Sequence, residues 1–235
     1  MHGLQSILVG LNLHHGDRIA SDELGDDARA ALKQAEELAH TTGAKVTLCA
    51  VLEISEQALV ILEVDRRQAV RTVEDVAYQA LNKTAATLRA TGVNVSTVVR
   101  LGEAWDELSR EAIAGQHDLV LVGTHIRSAV ARMLFGSTSR KLMRSCPVPV
   151  WVAKPDEIRD VREIAVATDF SDAAFAAVQA AVGVAQALQA KLFVVHALEF
   201  PFESYMRTAG VSPEEMEKAR AKLHAEARQS LELQL

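Results

Sequence analysis

Apolar residues along this chain keep two rhythms. In one they form short unbroken runs, at residues 6–11, 45–53, 93–100, 119–122 and 149–152; in the other they return every third or fourth position between those runs. An unbroken run suits a strand buried on both faces of a parallel sheet, and the three-to-four spacing suits a helix with one face on that sheet. Ala28, Ala31, Leu32, Ala35, Leu38 and Ala39 mark the first helix, with Asp26 and Asp27 placed to cap it and Thr41-Thr42-Gly43 to end it. From about 56 to 90, Leu59, Leu62, Val70, Val73, Ala77, Leu81 and Leu88 predict one long helix or two, closed by Gly92, with Asp65, Arg66 and Arg67 on a wet face. Trp105, Leu108, Ala112 and Ile113 mark a short helix ending near Gly115. This order of strands and crossover helices predicts an α/β fold: a doubly wound parallel five-stranded sheet with right-handed connections, whose ligands sit beyond the carboxyl ends of the strands.

The pattern then restarts. Residues 163–169 echo 6–12, an offset of 157, and 190–199 echo 44–53, an offset of 146, so the first copy carries eleven extra residues around 14–23. The chain is expected to hold a first unit at 1–155 and a partial second unit, β-α-β-α, at 156–235. In the second, Asp172 to Leu188 reads as a helix, and Ser212-Pro213-Glu214-Glu215 opens another with a good cap. Two parallel strands with two helices leave an open sheet edge and a thin core.

The segment DLVLVGTHIRSAVARMLFGSTSRKLMRSCPVPVWVAK, residues 118–154, concentrates the candidate chemistry. Two glycines, Gly123 and Gly136, are separated by twelve residues, and the second is followed by the hydroxyls Ser137 and Thr138 at a helix start. Free N–H groups and the helix dipole favour phosphate there, so the segment reads as a phosphate cradle. Main-chain amides at Thr124 and around Ser137 are expected to converge beside Asn12.

With Gly123, Gly136, Ser137, His125 and Arg127 in register with a G-x-x-G-x9-G-[ST] loop after a fourth strand, and a terminal Cys-Pro-Val-Pro-Val wording, the chain resembles the universal stress protein family. Position 126 departs from that pattern, carrying Ile where the family carries Gly. The resemblance implies strand order 3-2-1-4-5 (adenine-nucleotide α-hydrolase-like) and a stress-response protein that binds or senses adenine nucleotide, ATP with or without Mg2+. It implies that Asn12, where relatives have an Asp, faces the adenosine part, and that the backbone near Val51 reads adenine. Gly123, Gly136, Ser137 and Thr138 would hold phosphates, and Arg127 would add charge-assisted bonds. Asp169 keeps the first-strand acid in the second copy, and His196 reads as structural. The resemblance also implies pairing through the last strand, a homodimer through Val148–Ala153. The alternative is a nucleotide-independent dimeric interaction module, its pocket closed by Ile126.

Composition narrows the classes. The 49% of apolar residues are ample for a packed core. A net charge of −6 argues against general nucleic-acid binding, which needs clustered Lys and Arg. No apolar run is long enough to span a bilayer and the N-terminus carries no signal pattern, so the chain reads as cytoplasmic. Cys49 and Cys146 read as buried thiols. The loop residues His14, His15, Asp17, Asp22 and Glu23 read as solvated in preference to a metal site. Catalysis is not expected, since there is no Walker lysine, no Ser-His-Asp order and no close carboxylate pair; slow ATP hydrolysis or self-phosphorylation at Ser137 or Thr138 stays open. A pyrophosphatase loop of Ser-Gly-Gly-x-Asp-Ser type is absent after the first strand, and the third strand ends in Arg100 where a phosphoacceptor receiver would carry Asp.

Overall fold

The structure, a computed structural model, describes residues 4–13, 24–53, 66–124, 136–155, 161–198, 200, 206 and 208–234. The chain divides into two compact units, Met1–Asp160 and Val161–Leu235. The first holds β1 (Ser6–Leu11), α1 (Asp26–Thr42), β2 (Lys45–Leu52), α2 (Arg66–Ala90), β3 (Val95–Leu101), α3 (Ala104–Ala114), β4 (Leu119–Gly123), α4 (Ser137–Ser145) and β5 (Val150–Ala153). All neighbouring strands are parallel and the order is β3-β2-β1-β4-β5, the doubly wound sheet that the pattern and the resemblance predict.

Burial explains the unbroken runs. Ile7, Leu8 and Val9 of the central β1 are fully buried, because strand side chains alternate between faces and helices lie on both. Leu8, Cys49, Val120 and Val122 pack with Leu108 and Ala112 of α3 and Leu142 of α4. On the opposite face, α1 presents the buried Ala28, Ala31, Leu32, Ala35, Leu38 and Ala39 that its spacing predicts. Gly10 is small because a Cβ there would lie 2.8 Å from Leu108 Cδ1 and 3.0 Å from Val122 Cγ1.

Three boundaries differ from the sequence reading. The N-cap of α1 is Gly25, and Asp26 and Asp27 lie inside the first turn, where they meet the positive end of the helix dipole without capping it. β3 begins at Val95, two residues late, because Gly92 takes φ 93° and Val93 N–H still donates to Leu88 O at the end of α2. The stretch read as one helix or two shows the single helix Arg66–Ala90; residues 54–65 fall outside the described residues. At the end of α1, Gly43 adopts the left-handed conformation (φ 74°) and donates to Ala39 O, as its place after the last apolar residue predicts.

The second unit holds β6 (Glu163–Ala167), α5 (Asp172–Leu188), β7 (Lys191–Val195) and α6 (Pro213–Gln234). β6 and β7 are parallel, and α5 covers one of their faces with Val178 fully buried. On the other face Ala165 and Ala167 are exposed, and Phe193 and Val195 stand 38% and 52% open. The predicted cap forms, with Ser212 and Glu215 closing a reciprocal capping box at α6, and Ser171, which the sequence reading did not single out, caps α5 by accepting from Ala174 N–H at its Oγ.

Candidate functional site

The sheet brings the candidate residues to one end. Asn12 follows β1, and the register of β1, continued by one residue, sets it level with Val51 of β2 and with Thr124 after β4. Gly123 ends β4, and Gly136 is the N-cap of α4. Ser137 is exposed, Thr138 half-buried and Ser139 buried. His125, Ile126 and Arg127 lie outside the described residues, as do His14, His15, Asp17, Asp22 and Glu23.

The two glycines are small for different reasons. At Gly123 a Cβ would collide with the backbone carbonyl of Asp27 and come 2.8 Å from Asp27 Cβ, so the first turn of α1 sits directly on this position. Gly136 has φ −58° and ψ 165°, angles open to any residue, and a Cβ there would meet nothing within 4 Å among the described residues. No side chain caps α4 and no acid stands in its first turn, whereas α1, α3, α5 and α6 all carry one there. The amides of Ser137, Thr138 and Ser139 have no carbonyl inside their own helix to reach.

Thr124 corrects one expectation. Its N–H donates to Ala153 O at 3.1 Å, extending the β4–β5 ladder by a residue, so that amide is committed to the sheet and is not a ligand donor. Its side chain is another matter: Thr124 is 5% exposed and Oγ1 makes no hydrogen bond among the described residues.

A polar network beside α4 escaped the sequence reading, which took Trp105 as one apolar face residue. Glu103 Oε2 accepts from Trp105 Nε1 at 2.9 Å and from Lys141 Nζ at 3.1 Å, and Nζ lies 5.3 Å from the centre of the Trp105 ring. The Lys141 bond, then the indole bond, hold the Glu103 carboxyl below its ordinary range. Glu53, just past β2, accepts from Ala104 N–H at 3.0 Å and closes the start of α3. The only signal in the sequence was the charge of residues at element ends, which does not reveal partners.

The buried Glu111 carboxylate binds Arg100, which the register sets opposite Val51, through Nε at 3.0 Å and through a terminal nitrogen. Burial first, then Glu111, pushes the Cys49 thiol up to about 12, so it stays protonated as a packing group. Among the described residues no group of three His, Cys, Asp or Glu is arranged to hold a metal ion, and no helix is long and apolar enough to cross a membrane.

In the second unit, Asp169 accepts from the hydroxyl and the backbone N–H of Ser171, and those bonds lower its pKa. The acid that matches Asn12 in the repeat thus holds the turn into α5. His196 Nδ1 donates to Thr168 O at 2.7 Å, and its ring lies 4.3 Å from that of Phe170, which fits a structural role.

The profile of the Universal stress protein family matches residues 19–154 and again 161–234. "Universal stress protein E" of Salmonella typhi is 30% identical over 133 residues, 54% of this chain and 42% of that protein. The protein of the same name from Escherichia coli K12 is 29% identical over the same span. The chain spans about half the length of the relatives it matches. A universal stress protein from Archaeoglobus fulgidus superposes with a TM-score of 0.63 at 18% identity, over 87% of this chain and 71% of that one. A protein from Pseudomonas aeruginosa described as a universal stress protein gives 0.59 at 19% identity, over 94% and 70%. These two likenesses concern the fold.

Proposed function

Since the chain belongs to the universal stress protein family, we propose that it is a cytoplasmic stress-response protein whose first unit binds adenine nucleotide at the carboxyl end of β4. Gly136 carries this reading. Neither its backbone angles nor its surroundings among the described residues ask for glycine, whereas a ligand drawn against the main chain does. Ser or Asp would cap α4 better and would fill that same place. In this reading the Ser137, Thr138 and Ser139 amides hold phosphate with the Thr138 hydroxyl beside them. Asn12 meets the adenosine part, the backbone at Val51 reads adenine, and Arg127 adds charge. Gly123 lets α1 close on the sheet beside the site. Mg2+ would arrive with ATP and neutralise phosphate oxygens.

Calorimetric titration with ATP and Mg2+ tests the site. Binding at about micromolar Kd, abolished by Gly136→Val while the fold persists, is the expected result. No described residue lies within 4 Å of a Cβ at Gly136, which makes that variant a cleaner probe than one at Gly123. Silence at millimolar nucleotide rejects the reading, and gain of affinity in Ile126→Gly would identify that side chain as the block.

The edge strand supports a homodimer through Val148–Ala153 as part of the same proposal. Among the described residues β5 pairs with β4 alone, and its Val150, Trp151 and Val152 are half-buried and apolar. Light scattering is expected to give a dimer mass that Trp151→Lys halves. A monodisperse monomer at tens of micromolar would reject it. An intact dimer with no nucleotide binding would instead favour the interaction-module reading.

A further inference from the structure

We propose that Arg140 sets the length of phosphate chain accepted at the start of α4, favouring di- and triphosphates over monophosphates, with the Thr124 hydroxyl meeting the innermost phosphate. This rests on an anion at that helix start, as above, but not on the adenosine.

Two observations carry it, the first of them independent of the helix end. The first is Thr124 Oγ1, more than nine-tenths buried and without a hydrogen bond among the described residues. Strand alternation puts Thr124 on the same face as Val120 and Val122, the face that α3 and α4 cover. It stands at the end of β4 from which the chain passes to α4. A buried hydroxyl left unpaired is costly, and a ligand oxygen at the mouth of α4 removes that cost.

The second is Arg140 itself. Its N–H donates to Gly136 O, which fixes it one turn into α4, and helical side chains lean back over the preceding turn. A guanidinium at residue 140 can therefore reach over the turn that holds Gly136 and Ser137. It is exposed and has no ion-pair partner among the described residues, while its neighbour Lys141 is engaged by Glu103. A cation in the first turn opposes the positive end of the dipole, and Arg144 repeats the charge four residues on. An anion with charge to spare beyond its first phosphate reconciles the two: the helix amides take the inner group and the guanidinium binds the outer oxygens.

The experiment titrates AMP, ADP, ATP and inorganic tripolyphosphate into the full chain and its Arg140→Gln and Thr124→Val variants, with thermal unfolding to confirm each fold. Arg140→Gln is expected to weaken ATP and tripolyphosphate by about tenfold to a hundredfold, the size of a charge-assisted bond, and to leave AMP unchanged. Thr124→Val is expected to weaken AMP and ATP by the same factor. If Arg140→Gln leaves ATP unchanged, or weakens AMP equally, the inference falls and the nucleotide reading stands. Arg140-dependent binding of tripolyphosphate with no response to any adenine nucleotide would uphold the inference and reject that reading. No response to any of the four rejects both.

Discussion

His117 occupies a place where its ring cannot take up a proton cheaply. It is 7% exposed; Nδ1 pairs with Ser6 Oγ at 2.8 Å, and Nε2 is buried with no partner among the described residues. Burial is the main cause of its lowered pKa; Lys45 adds to it, while Glu111 and Asp118 oppose it. A lowered folded-state pKa contributes stability that is whole above the ordinary histidine value, about 6.5, and is lost as pH falls through the folded value. The thermal midpoint is thus expected to drop between about pH 6.5 and 5 more steeply for the native chain than for His117→Gln, which keeps a polar group beside Ser6. Parallel pH profiles would show that another group governs the acid limb. The same scale explains the quiet chemistry of Cys49: it is locked in a sheet whose nearby charge, Glu111, is already paired with Arg100.

At the scale of elements, the contact of α1 with β4 turns on one missing methyl group. Gly123→Ala drives a carbon into the Asp27 backbone, which has no rotamer with which to yield, and overpacking of this kind costs about 1–3 kcal/mol. Gly136→Ala meets no described atom within 4 Å and is expected to cost less, roughly 0.5 kcal/mol for the weaker N-cap preference of Ala. Urea unfolding of the two variants decides the matter; equal midpoints would mean that α1 shifts away freely. This pair also shows what the sequence could tell. Strands and helices were legible because unbroken apolar runs and period-3.6 patterns are local, and so were the helix ends at Gly43 and Ser212; strand order came from the family resemblance. The two glycines looked alike, because the atom that separates them belongs to Asp27, far away in the chain. The fate of the Thr124 amide depended on register with Ala153, and the Glu103–Lys141–Trp105 network on the approach of α3 to α4. Long-range pairing leaves no local mark, so the place of the site could be read and its donors could not.

At the scale of the molecule, the two units differ in how well their strands are enclosed. β1 and β4 lie inside a five-stranded sheet with helices on both faces, and Leu8 and Cys49 are fully buried on the side of α3 and α4. The matching positions in the second unit, Ala165 and Val195, lie on the face that α5 leaves uncovered. Backbone hydrogen bonds open most readily where few apolar contacts hold them, so the two units are expected to open at different free energies. Hydrogen exchange on the full chain should protect the amides of Ile7–Gly10 and Val120–Val122 far longer than those of Ile164–Val166 and Leu192–Val194. Equal protection would mean that the second sheet is covered in solution. A fast second unit beside a slow first one would instead trace the difference to the helices that close the α3–α4 face of the first sheet and have no counterpart on the described second one.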